Sequence, residues 1–194
     1  MKPTVSVIAC LGWGSLVWDP RELPFSGGWR NDGPMLPIEF GRESGAMRNQ
    51  RGNKISLVIC PGSTQVRTYW TVLDVPDMGT ARVCLANREG ITKNWQTAIG
   101  FADLLNDHAQ GMEADTITAW AARIGLAGVV WTNLSHKFDN KHVLPSETEV
   151  IAFLRSLNDA NREVAERYVC NTPTQIDTIY RRAIERQRGW LRCD

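Results

Sequence analysis

Read as a pattern of apolar and polar positions, the chain changes rhythm near residue 90. Val5, Val7 and Ala9, with Ser6 and Ile8 between them, belong to an apolar run from Thr4 to Leu11. This run predicts a mostly buried strand that ends at the glycines Gly12 and Gly14. The stretch "PFSGGWRNDGP" (24–34) predicts a long turn-rich connection. Short strands are expected at "MLPIEF" (35–40), "KISLVIC" (54–60), "RTYWTVLDV" (67–75) and "ARVCLA" (81–86), bounded by the turns "PGS" and "PDMGT".

Beyond residue 90 the period lengthens. Trp95, Ile99, Ala102 and Leu105 fall at helical spacing, as do Ile117, Trp120 and Ile124, and one further strand, "AGVVWT" (127–132), interrupts the helices. Ser146 followed by Glu149, just after Pro145, has the form of a capping box opening a helix that carries Val150, Phe153, Leu154 and Leu157. Thr172, with Pro173 as first helical residue and Gln175 as reciprocal partner, predicts another that carries Ile176, Ile179, Tyr180 and Ile184. The expectation is one domain over 1–194, strand-rich over 1–90 and helix-rich over 91–194. Its class is α+β, a mixed β-sheet or small β-barrel packed by helices, with a helical C-terminal third.

Composition narrows the partners. A chain of 194 residues with 43% hydrophobic content suffices for one well-filled core. With 22 Lys+Arg against 21 Asp+Glu, no global field draws nucleic acid or an anionic membrane, and a small, locally recognised molecule is the expected partner. Five cysteines (Cys10, Cys60, Cys84, Cys170, Cys193) without a Cys-x-x-Cys pair fit neither a disulfide framework nor a thiolate zinc site, so a reducing cytoplasm is the expected location. The start mimics a signal peptide, but the apolar stretch before Cys10 is too short, and no segment approaches the roughly 18 consecutive apolar residues of a membrane span.

The candidate chemistry begins at "GWGSLVWDP" (12–20). A strand that breaks into Gly-x-Gly-Ser exposes backbone N–H groups, and glycine lets a ligand approach them closely. The third glycine of a dinucleotide fingerprint is missing. Downstream, in order, come "FGRESGAMRNQRGNKISLVI" (40–59), "VRTYWTVLDV" (66–75) and "LANREG" (85–90). Together these elements resemble the ChaC-like γ-glutamylcyclotransferases and, more loosely, the wider γ-glutamylcyclotransferase-like superfamily. The resemblance covers about the first ninety residues, with an echo of a later family helix in "PSETEVIAFLRSL" (145–157). Trp13 stands where the family signature has tyrosine, and the later motif is matched only in part, which leaves the substrate open.

The resemblance implies a γ-glutamylcyclotransferase-like fold and a cofactor-free lyase or transferase that closes a γ-glutamyl amide or peptide, glutathione among the candidates, to 5-oxoproline. It implies Glu89 as the catalytic acid/base, with Gly12, Trp13, Gly14, Ser15 and Leu16 as the glutamyl-binding loop. Arg42, Arg48 and Arg51 offer guanidinium forks for a substrate carboxylate, Arg42 foremost because a strand leads into it. If its segment were extended, Arg88 would point away from Glu89 and anchor the sheet. Two rivals stay open: a non-catalytic binding protein for a small amino-acid-like ligand, and an amidohydrolase using Cys10 with His136 or His142. "HKFDNKH" (136–142) lacks the spacing of a helical zinc site, although Asp139 lies between its histidines. Trp13, Trp18 and Trp29 are candidates to wall a pocket.

Overall fold

The apolar run ahead of the two glycines becomes a strand with every residue buried, which requires cover on both faces. In the computed structural model, which describes residues 7–45 and 51–192, the chain opens with β1 (Ile8–Gly12), α1 (Ser15–Trp18), β2 (Phe25–Arg30) and β3 (Met35–Ser44). There follow β4 (Lys54–Ile59), β5 (Gln65–Arg67), β6 (Tyr69–Leu73), α2 (Met78–Glu89), α3 (Trp95–Ala98), β7 (Ile99–Asp103) and β8 (His108–Gln110). The rest is α4 (Ala114–Arg123), β9 (Gly128–Thr132), α5 (Glu147–Ser156), α6 (Asp159–Cys170) and α7 (Ile179–Arg188). The expected residues Thr4, Val5, Ser6, Arg48 and Cys193 lie outside the described ones.

These elements fall into two compact units that interleave along the chain. The first takes Met1–Gly12, Asp19–Met35 and Arg67–Leu134; the second takes Trp13–Trp18, Leu36–Val66 and Ser135–Asp194. The boundary therefore does not follow the change of rhythm near residue 90.

The first unit is built on a six-stranded sheet in the order β2-β6-β1-β9-β7-β8. Its edges are β2 and β8, so the sheet is open and the expected alternative of a closed barrel is not adopted. It is mixed, because β1 runs parallel to β9 (Ile8 opposite Gly128) and antiparallel to β6 (Leu11 opposite Trp70). Helices α2 and α4 both pack on β7 and β9. The class is α+β, as expected.

Three expected elements of this unit turn out differently. "ARVCLA" lies inside α2 rather than in a strand. Asp77 caps that helix by accepting from the Thr80 N–H at 2.8 Å, Gly90 ends it at φ 67°, and Ala81, Leu85 and Arg88 form its buried stripe. The helix expected through Trp95, Ile99 and Ala102 is one turn, α3, followed at once by strand β7. The connection expected over 24–34 contains edge strand β2, whose register against β6 shifts between Ser26 and Arg30.

The second unit holds the three-stranded sheet β4-β3-β5 with α1, α5, α6 and α7. The capping box of α5 forms as expected: Ser146 accepts from the Glu149 N–H, and the Glu149 carboxylate accepts from the Ser146 N–H at 2.8 Å. The helix expected to open at Thr172 instead begins at Ile179 with Thr178 as its cap, while the Thr172 hydroxyl donates to the Tyr168 carbonyl. Arg181, fully buried, explains the displaced start. Its guanidinium donates to the carbonyls of Thr172, Pro173 and Ile176 and holds 172–176 as a loop.

Candidate active site

In the first unit the expected catalytic residue closes α2. Glu89 is the last residue of that helix, with a side chain 19% exposed. Because the segment is helical rather than extended, Arg88 does not point away from it: Arg88 Nη1 donates to Glu89 Oε1 at 2.7 Å. Arg88 is itself almost wholly buried, and its Nη2 donates to the Asp19 carbonyl. Arg21, whose backbone is left-handed (φ 51°), donates from Nη1 to the Arg88 carbonyl at 3.4 Å and pairs with the Asp19 carboxylate at 3.3 Å. A buried guanidinium thus fixes the acid to one side, while part of the carboxylate stays within reach of solvent.

In the same unit, β1 carries the cysteine of the thiol rival. Cys10 is completely buried, and burial pushes its thiol up; the Glu89 carboxylate raises it further and Arg88 opposes the rise. Gly12 is buried at the end of β1, opposite Tyr69. A thiol held protonated by burial is a poor nucleophile, which counts against the Cys10 rival.

In the second unit the rest of the expected loop has structural partners. Trp13 is buried, and its indole N–H donates to the Leu57 carbonyl at 3.3 Å. Leu16 is buried in the core. Ser15, half-buried, begins the single turn α1, and Val17 N–H donates to the Gly14 carbonyl at 2.9 Å. Gly14 is needed for close approach: a Cβ there would come within 2.6 Å of the Tyr168 hydroxyl, which accepts from the Leu57 N–H at 3.2 Å. Trp18 stacks edge-on against Tyr168 at 5.5 Å.

The expected arginines of this unit are engaged. Arg42 is half-buried after a register shift in β3, and its guanidinium donates to the Ser135 carbonyl at 2.7 Å. Burial lowers its pKa from the ordinary arginine value. Arg51 pairs with Glu43 at 2.8 Å and lies over the rings of Phe138 and Phe153. Asp139 lies 3.9 Å from Arg51, and His142 Nδ1 is 3.4 Å from the Ser135 hydroxyl. Among the described residues no group of three or more His, Cys, Asp and Glu side chains is placed to hold a metal ion. Trp29, in the first unit, is half-buried beside Phe25.

Two features went unread in the sequence. Asp19 and Arg21, which tie down Arg88, lie in "WDPRE", and nothing in that short stretch signals a partner some seventy residues on. Glu39, discussed below, stands unmarked inside an apolar strand, and a lone carboxylate there is itself the signal.

Compared with protein-family models, characterised proteins and solved structures, the chain matches none of them.

Proposed function

We propose that the chain is a γ-glutamylcyclotransferase-like enzyme that converts a γ-glutamyl amide or peptide, glutathione among the candidates, to 5-oxoproline with release of an amine. Glu89 is its acid/base. The observation that supports this reading is a carboxylate held by the buried Arg88 at the end of α2, yet still partly exposed. The motif resemblance assigns the same glutamate.

The substrate's α-ammonium must first lose a proton, which Glu89 accepts. The freed amine attacks the γ-carbonyl carbon, forming the ring C–N bond and a tetrahedral oxyanion. Collapse of that oxyanion breaks the bond to the leaving nitrogen as Glu89 returns its proton there, and the second proton still on the ring nitrogen passes to the released amine, which departs as an ammonium ion. Atoms and charge balance without a cofactor. Arg88 keeps the carboxylate oriented through both transfers.

The same ion pair favours one rival. A glutamate neutralised by an adjacent guanidinium also suits a binding protein that recognises a small zwitterion without turning it over. Mass-spectrometric detection of 5-oxoproline, after incubation with glutathione and a panel of γ-glutamyl dipeptides and amines, separates the two. Product that disappears in Glu89→Gln supports the enzyme. Saturable binding without product supports the binding protein, and full activity in Glu89→Gln overturns the role of Glu89.

A further inference from the structure

We propose that the first unit carries a second ligand site, a groove between the Gly33-Pro34 turn and α4 that takes a small molecule with one anionic head and a flat ring. The groove has a volume of about 560 Å³ and shares no lining residue with Glu89. It does not depend on the reaction proposed above.

One wall is a single face of α4: Thr116, Ala119, Trp120 and Arg123 fall at i, i+3, i+4 and i+7. Trp120 is buried and fixed edge-on against Trp70 at 5.5 Å. Trp70 is held in turn by donating its indole N–H to Asp32 at 2.7 Å, with the Arg30 guanidinium 4.3 Å over its ring. Ala119, one carbon long between longer neighbours, leaves width for a ring.

The other wall is rigid. Gly33 N–H donates to the Thr68 carbonyl at 3.1 Å, and the Thr68 N–H and hydroxyl both donate to the Pro34 carbonyl, at 3.1 and 2.9 Å. A Cβ on Gly33 would come within 2.6 Å of the Thr68 hydroxyl, so only glycine permits this approach. Arg67 lies along this wall, donating from Nη1 to the Gly33 carbonyl at 3.4 Å.

Charge selects the ligand. Two guanidinium groups, Arg67 and Arg123, line the groove, and no carboxylate lines it. In a chain whose charges otherwise balance, a groove lined by two arginines is complementary to a carboxylate or phosphate, which a planar fork binds through paired hydrogen bonds. Pro34 and the Ala119 face suit the ring.

The test titrates the full chain with adenosine monophosphate and with benzoate, using adenosine and benzamide as uncharged controls. Binding is followed through the Trp120 indole N–H resonance. The expected result is saturable binding of an anion at about 1 mM or tighter and none of its uncharged control; which anion binds distinguishes phosphate from carboxylate. Arg67→Gln and Arg123→Gln, both exposed positions, are each expected to weaken binding about tenfold. No shift with either anion overturns the site. Binding that survives both substitutions also overturns it, and leaves Arg123 as a cation that merely complements the end of its helix.

Discussion

Two glutamates, one in each unit, sit at opposite ends of helices and are held by opposite means. Glu39, on β3, is 2% exposed and lies at the N-terminus of α7. Its Oε1 accepts from the Phe40 N–H at 2.7 Å and the Thr178 hydroxyl at 2.6 Å, and its Oε2 accepts from the Tyr180 N–H at 3.3 Å. A helix start favours negative charge, so this acid docks α7 with the helix dipole behind it. Glu89 sits at the C-terminus of α2, where the dipole opposes it, and is held by the buried Arg88 with a fifth of its side chain still exposed. What holds a carboxylate at this end of a helix is the neighbouring buried guanidinium rather than the backbone.

The largest effect that would break this contrast is on turnover. Glu89→Gln is expected to lower 5-oxoproline formation per folded molecule about 10²- to 10⁴-fold, with a fall in thermal midpoint because the buried Arg88 loses its charged partner; intact activity per folded molecule would leave Glu89 a structural role alone. Glu39→Ala should act on stability alone. It leaves a buried hydroxyl and the Phe40 and Tyr180 N–H groups unpaired, costing about 2 to 4 kcal/mol in denaturant unfolding, with activity per folded molecule preserved.

Gly14→Ala comes next, at about 1 to 3 kcal/mol, because its Cβ meets the Tyr168 hydroxyl. Tyr168→Phe removes that oxygen, so the double variant should be more stable than the sum of the single losses predicts; strict additivity would show that the clash is not the cause. A smaller effect is the pH profile of Glu39. Burial raises its carboxyl above the ordinary glutamate value, against the donors from Thr178, Phe40 and Tyr180. A raised acid adds stability that is complete below about pH 4 and is lost as pH rises through the raised value. The wild type should therefore decline relative to Glu39→Gln across that window, and parallel midpoint curves would refute it. The smallest effect is Cys10→Ser, for which turnover per folded molecule should hold, since the thiol is buried and protonated.

What could be read in advance follows the range of the interactions. The box at Ser146 and Glu149 is satisfied within four residues, so its spelling suffices. The signals for α2 were equally local, Asp77 with Thr80 at one end and Gly90 at the other, but "ARVCLA" offers enough alternation to suggest a strand. Trp95, Ile99 and Ala102 fit helical spacing because the first residues of two successive elements, Trp95 of α3 and Ile99 of β7, fall on that period by coincidence. The start of α7 was not readable locally, since Arg181 fixes it from eight and nine residues further along. The same holds at the candidate site. Glu89 was named from its motif, whereas its bond to Arg88 required knowing that the segment is helical, and the burial of Leu16 is a tertiary fact.

The pairing of Ile8 with Gly128 has a further consequence, for synthesis. β1, every residue of which is buried in the fold, leaves the ribosome well before its parallel neighbour β9 is translated. Until then the strand has one flank without its mate, the circumstance in which nascent chains stick to each other or to chaperones. Fragments ending before β9 should therefore aggregate, and slowing translation ahead of Gly128 should lower the soluble yield.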